Sequence, residues 1–170
     1  MRLFSEERKN RTDQVLLTAP ISITAMVFGK FLAATQVYLL ALSVTLAYAF
    51  VISLYIIPNW ISIIGNFIAL FLMGEAMIAI GMFISSLTEN QVIAAVGGFV
   101  TALILMLTDI YNSIITQPLA QKILNIISFY NRYEGFSIGF FELSNIFYFF
   151  SVCGLFLFLT IRSFEKRRWS

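Results

Sequence analysis

Histidine is absent from this chain, cysteine occurs once, at Cys153, and proline three times. Without histidine there is no imidazole to act as a general base or metal ligand. A single cysteine, set inside an apolar run, excludes an intrachain disulfide. Charge is scarce too, at 12% of residues, against roughly 25% in soluble domains. No two carboxylates sit at helical spacing within an apolar run, and no cluster of metal-ligand residues occurs. The phosphate-cradling pattern Gly-x-x-x-x-Gly-Lys-Ser/Thr is missing as well. "VFGKF" has one glycine before Lys30 and lacks the loop that would aim backbone N–H groups at phosphates. No catalytic residue, no metal site and no cofactor bound by the chain itself are therefore expected. The net charge of +2 gives no reason to expect nucleic acid as a partner.

What is present is hydrocarbon. Hydrophobic residues make up 59% of the chain and the mean hydropathy is +0.88. A globular core cannot hide so much apolar surface in 170 residues, so lipid is the expected solvent. Four apolar runs are long enough to cross about 30 Å of hydrocarbon: 31–57, 61–87, 91–110 and 143–161. Pro58 ends the first, with Trp60 as an interface anchor. In the turn "SSLTENQ", Thr88 and Gln91 fit a capping box for the third helix. The expected fold is all-α: a polytopic integral membrane bundle of about four transmembrane helices, one domain over 1–170.

Lys and Arg set the orientation. Arg2, Arg8, Lys9, Arg11 and Lys30 lie on the amino-terminal side, and Arg162, Lys166, Arg167 and Arg168 on the carboxy-terminal side. Nine of the eleven positive charges thus share one face of the membrane. Both ends are read as cytoplasmic, with 162–170 as a cytoplasmic tail. The external connection from Asp109 to Glu142 is too apolar for a solvated loop and too broken, at Gly135 and Gly139, for a span. It reads as short helices lying in or dipping into the outer leaflet over 113–141.

Three groups of residues stand out. Glu75 is the one ionisable residue deep within a span, where an ionised acid costs about 2.5–3.5 kcal/mol on insertion scales. It is either a polar contact on a translocation path or a protonated or snorkelling structural acid at a helix interface. Ala94, Gly98 and Ala102 recur every fourth residue on the third helix, and Gly74, Gly81 and Ser85 share a face of the second. Small faces allow close backbone approach, either within one bundle or at a dimer seam. The opening segment, finally, holds seven charges of both signs in its first thirteen residues. It has no continuous apolar stripe and stops at Pro20 and Ser22. Such a segment gains little from lying on lipid. It reads as a cytoplasmic rod that meets another protein, or as a charged tail.

"RLFSEERKNRTDQVLLTAPIS" followed by "GKF" resembles the coupling segment of type-2 ABC-transporter permeases, of the gliding-motility-like branch in particular. "GMFISSLTENQ", "SFYNRYEGFSIG" and "RSFEKRRW" agree in order, so the resemblance spans essentially the whole chain. Arg11 departs from the glycine that the family often carries there. The resemblance implies a permease subunit of an ATP-driven exporter in the bacterial plasma (inner) membrane. Its coupling helix, 2–19, would dock on a separate cytoplasmic ABC ATPase, which would bind ATP and Mg. Glu6, Glu7, Thr12, Leu16, Leu17 and Pro20 match that segment. A second permease chain, identical or different, would complete the path. The 113–141 stretch would form the external gate, with Tyr130, Tyr133 and Phe136. Family members have about six spans, two of them before the coupling segment, so the sequence is expected to be amino-terminally incomplete, as a fragment or through a mis-assigned start, or else a half-sized relative that works with a partner permease. The alternative is a non-transport four-helix membrane scaffold or assembly protein. Lipid-linked glycans, peptides and drugs all remain open as substrates.

Overall fold

The computed structural model describes residues 22–55, 57–114, 117, 121, 124–125, 128–137, 139 and 142–168. The coupling segment, 2–19, and Pro20 lie outside the described residues, as does most of 115–127. The described chain is all-helical: α1 (Ile23–Ser53), α2 (Trp60–Leu87), α3 (Gln91–Ile114), α4 (Phe129–Ser137) and α5 (Leu143–Arg168). Four of these, all but α4, are long and apolar enough to cross a membrane.

Local chemistry sets the helix ends. Ser22 caps α1, its Oγ accepting from the Ala25 N–H at 3.3 Å. Pro58 disfavours helical dihedrals at Ile57, and α1 closes earlier, at Ser53, through the turn residue Leu54. The first span is thus shifted towards the amino terminus relative to the 31–57 expected. Lys30 lies inside the helix rather than at its boundary. Asn59 caps α2, its Oδ1 accepting from Ile61 at 3.2 Å. The cap of α3 also differs from expectation. Asn90 Oδ1 accepts from the Val92 N–H at 2.9 Å, while Thr88 ends α2 in an extended conformation. An asparagine directly before the helix satisfies an orphan donor, so the Thr88–Gln91 box is not the one used.

The connection expected from Asp109 starts later, because α3 continues to Ile114. Gly135 does not interrupt; it lies inside α4. Gly139 does, at φ +91°, a conformation that glycine adopts without a side-chain penalty. Ser128 opens α4, its Oγ accepting from Asn131 at 3.1 Å.

α2 is the hub of the bundle and packs against α1, α3, α4 and α5; α1 also meets α5, and α3 meets α4. Its buried positions are largely small: Gly65, Ala69, Ala76, Ala79, Gly81, Ser85 and Ser86. Small side chains let neighbouring backbones come close, where lipid supplies no hydrophobic drive between helices. The outer faces of α1 and α3 are the reverse. Val37, Leu40, Tyr48, Val92, Phe99 and Met106 are exposed, as suits surfaces solvated by lipid tails. The short α4 buries Phe129 and Phe136. Phe129 stands edge-on to Phe149 of α5, ring centroids 5.4 Å apart and planes at 83°, a geometry the ring quadrupoles favour.

Candidate functional site

Glu75 stands near the middle of α2, fifteen residues after Trp60 and twelve before Leu87. At 1.5 Å per residue it is about 22 Å and 18 Å from the two ends, the position most costly for a charge. The chain meets that cost by enclosure. Glu75 is only 7% exposed, and Oγ1 of Thr35 on α1 donates to its Oε2 at 2.7 Å. Its other oxygen, Oε1, is buried with no hydrogen-bond partner among the described residues.

A cavity of about 590 Å³ opens beside this carboxylate, between α1, α2 and α5. Thr35 and Glu75 bring polar side chains to a wall that is otherwise mostly Phe, Leu and Ile, with Cys153 and Gly154 on α5. No Lys or Arg lines it. A second cavity, of about 600 Å³, lies between α1 and α2, with Tyr38, Gly74 and Gly81 in its lining. Tyr38 bridges the two helices, its hydroxyl donating to the Leu70 carbonyl at 2.6 Å. A Cβ built on Gly74 would overlap the Tyr38 ring, so glycine is what admits the tyrosine.

Of the small residues, Gly81 and Ser85 are buried on α2 and Ala94 and Gly98 on α3; Ala102 is half-buried. Burial within a single chain places these positions, Ala102 in part, inside one bundle. Gly97, one position from Gly98, has Ile84 of α2 3.1 Å from a built Cβ.

The aromatic residues of α4 separate by exposure. Phe136 is fully buried and Tyr130 is exposed. Tyr133 is half-buried, and its hydroxyl donates to Oδ1 of Asn66 on α2 at 2.7 Å. Arg132 turns to α5. Its Nη1 donates to Asn145 Oδ1 at 3.1 Å, and its guanidinium lies 3.9 Å from the Tyr148 ring centroid, a cation–π contact. Thr35, Tyr38, Asn66 and Asn145 escape sequence reasoning, because each finds its partner across the bundle. A polar residue within an apolar run was the available signal.

No group of three or more acidic, histidine or cysteine residues that could hold a metal ion occurs among the described residues. The apolar helices and their packing define a multi-pass helical membrane protein. Residues 1–169 match the family described as ABC-2 family transporter protein, and the chain belongs to it. It is thus a membrane permease subunit of ABC type. No curated protein and no solved structure matched the chain in the other two comparisons.

Proposed function

We propose that this permease subunit serves an ATP-driven exporter of the bacterial plasma membrane and couples to a separate ABC ATPase, which binds ATP and Mg. The family match carries the reading, because it extends over residues 1–169 and so includes the charged opening segment. Glu6, Glu7, Thr12, Leu16, Leu17 and Pro20 form the docking element. Both ends face the cytoplasm, which agrees with nine of eleven positive charges on that side. ATP closes the ATPase dimer, the docking element transmits the closure, and the bundle alternates between inward and outward openings. Glu75, Gly81, Ser85, Ala94, Gly98 and Ala102 lie along the path and its helix contacts. Tyr130, Tyr133 and Phe136 belong to the external gate. A second permease chain, identical or different, frames the path.

Co-purification with the ATPase tests the coupling. Glu6→Lys combined with Glu7→Lys is expected to insert into the membrane normally and to lose the ATPase. Normal retention of the ATPase by this variant contradicts the docking assignment.

A further inference from the structure

We propose that the cavity between α1, α2 and α5 binds a lipophilic cation, an aromatic or aliphatic body carrying one N–H-bearing cationic group, with the carboxylate of Glu75 as its counter-ion. The proposal rests on reading the chain as an exporter permease and names the class of substrate.

Three observations converge on this ligand. The first is volume. About 590 Å³ falls within the roughly 300–1,000 Å³ of small-molecule sites. The second is the unpartnered acid. Glu75 is more than nine-tenths buried. Thr35 occupies one of its oxygens, and the other has no hydrogen-bond donor among the described residues. A buried acceptor left without a donor is costly, and the lining supplies no Lys or Arg to neutralise it. A ligand bearing a positive charge and an N–H group answers both needs. An anion is repelled, and a neutral hydrocarbon leaves the acid unanswered.

The third is the wall. Phe28, Phe31, Phe71, Phe149, Phe150 and Phe158 line the cavity. Phenylalanine faces attract cations as well as apolar bodies. The rim also indicates the route of access. Phe28 on α1 and Phe150 and Phe158 on α5 are 49%, 62% and 52% exposed. The mouth therefore opens sideways, to the surface that lipid covers. A lipophilic cation concentrates in a membrane and can reach Glu75 from there without crossing water.

Gly154 offers a way to close the site without touching the acid. It lines the cavity, and a Cβ built on it meets nothing within 4 Å. Gly154 is exposed, so leucine at this position has room at the rim of the cavity and adds bulk to its mouth.

The full chain in lipid nanodiscs, titrated by fluorescence anisotropy, provides the test. The probes are rhodamine 6G, an aromatic cation with N–H donors, and Nile red, an uncharged aromatic dye; partition into empty nanodiscs is subtracted. The wild-type chain is expected to bind the cation at least about tenfold more tightly than the neutral dye. Glu75→Gln is expected to lose about tenfold in affinity for the cation and to leave Nile red unchanged. Gly154→Leu, with Glu75 intact, is expected to weaken the cation. Equal affinity for the two dyes overturns the proposal, as does unchanged cation binding by either variant. Should Glu75→Gln fail to fold, the dye comparison and Gly154→Leu still decide. No ATPase takes part, so failure here is distinct from failure of the coupling reading.

Discussion

Thr35 and Glu75, forty residues apart in sequence, meet at 2.7 Å, Oγ1 donating to Oε2. The bond ties α1 to α2 near mid-span. Interhelical hydrogen bonds in membranes average only about 0.6 kcal/mol and reach about 1.7. This one serves a buried carboxylate that has lost water, which puts it towards the upper end. Thr35→Val is expected to destabilise the chain by about 1–2 kcal/mol, and Thr35→Ser to retain most of the stability. Unfolding in mixed detergent micelles checks this; equal stability of all three proteins contradicts it.

Gly74 and Gly154 look alike in sequence, but their surroundings differ. A Cβ on Gly74 overlaps the Tyr38 ring, whereas one on Gly154 meets nothing within 4 Å. The tyrosine cannot swing aside without giving up its bond to Leu70. Gly74→Ala is expected to cost about 1–3 kcal/mol through overpacking, and Gly154→Ala to be close to neutral. Tyr38→Leu removes the ring and is expected to reduce the cost of Gly74→Ala in a double-mutant cycle. Additive effects would mean that the two positions do not meet.

The proposed external gate is fastened to the bundle at Tyr133. Its hydroxyl reaches Asn66 of α2 at 2.7 Å, while Phe129 and Phe136 supply buried anchors. Tyr133→Phe removes the polar tie and keeps the ring. It is expected to speed amide hydrogen exchange over 129–137 and to leave the middle of α2 unchanged. Exchange identical to wild type in α4 indicates that packing alone holds it.

Much of this was legible in the sequence, for physical reasons. Runs such as 61–87 need no partner to declare themselves, because length and apolarity alone determine membrane crossing. Glu75 stood out because a lone acid in hydrocarbon demands an explanation. Its setting did not, since Thr35, Cys153 and six phenylalanines converge on it only when three helices assemble. Helix ends were the weakest point. Lys30 looked like a boundary charge, yet Ser22 caps the helix a full two turns earlier. Thr88 and Asn90 both offer a cap in the same turn, and asparagine directly before a helix is the one that accepts from it. Gly135 and Gly139 read alike as breakers, and only the positive φ at Gly139 separates them.

The proposed membrane orientation rests on the charge bias and is open to labelling. With Cys153 replaced, single cysteines at the exposed positions Glu134 and Lys166 report the two faces. A membrane-impermeant maleimide is expected to label position 134 in intact cells and position 166 only after permeabilisation. The opposite pattern reverses the topology.

Coupling to an ATPase is tested most directly by site-specific photo-crosslinking from the opening segment in intact cells. With a photoreactive residue at position 16, irradiation is expected to give a product that contains this chain and an ABC ATPase, lost with Glu6→Lys and Glu7→Lys. Position 134, which the proposed topology puts on the other side of the membrane, is expected to give none. Full insertion with no ATPase adduct from position 16, or an adduct from position 134 instead, would contradict coupling through this segment.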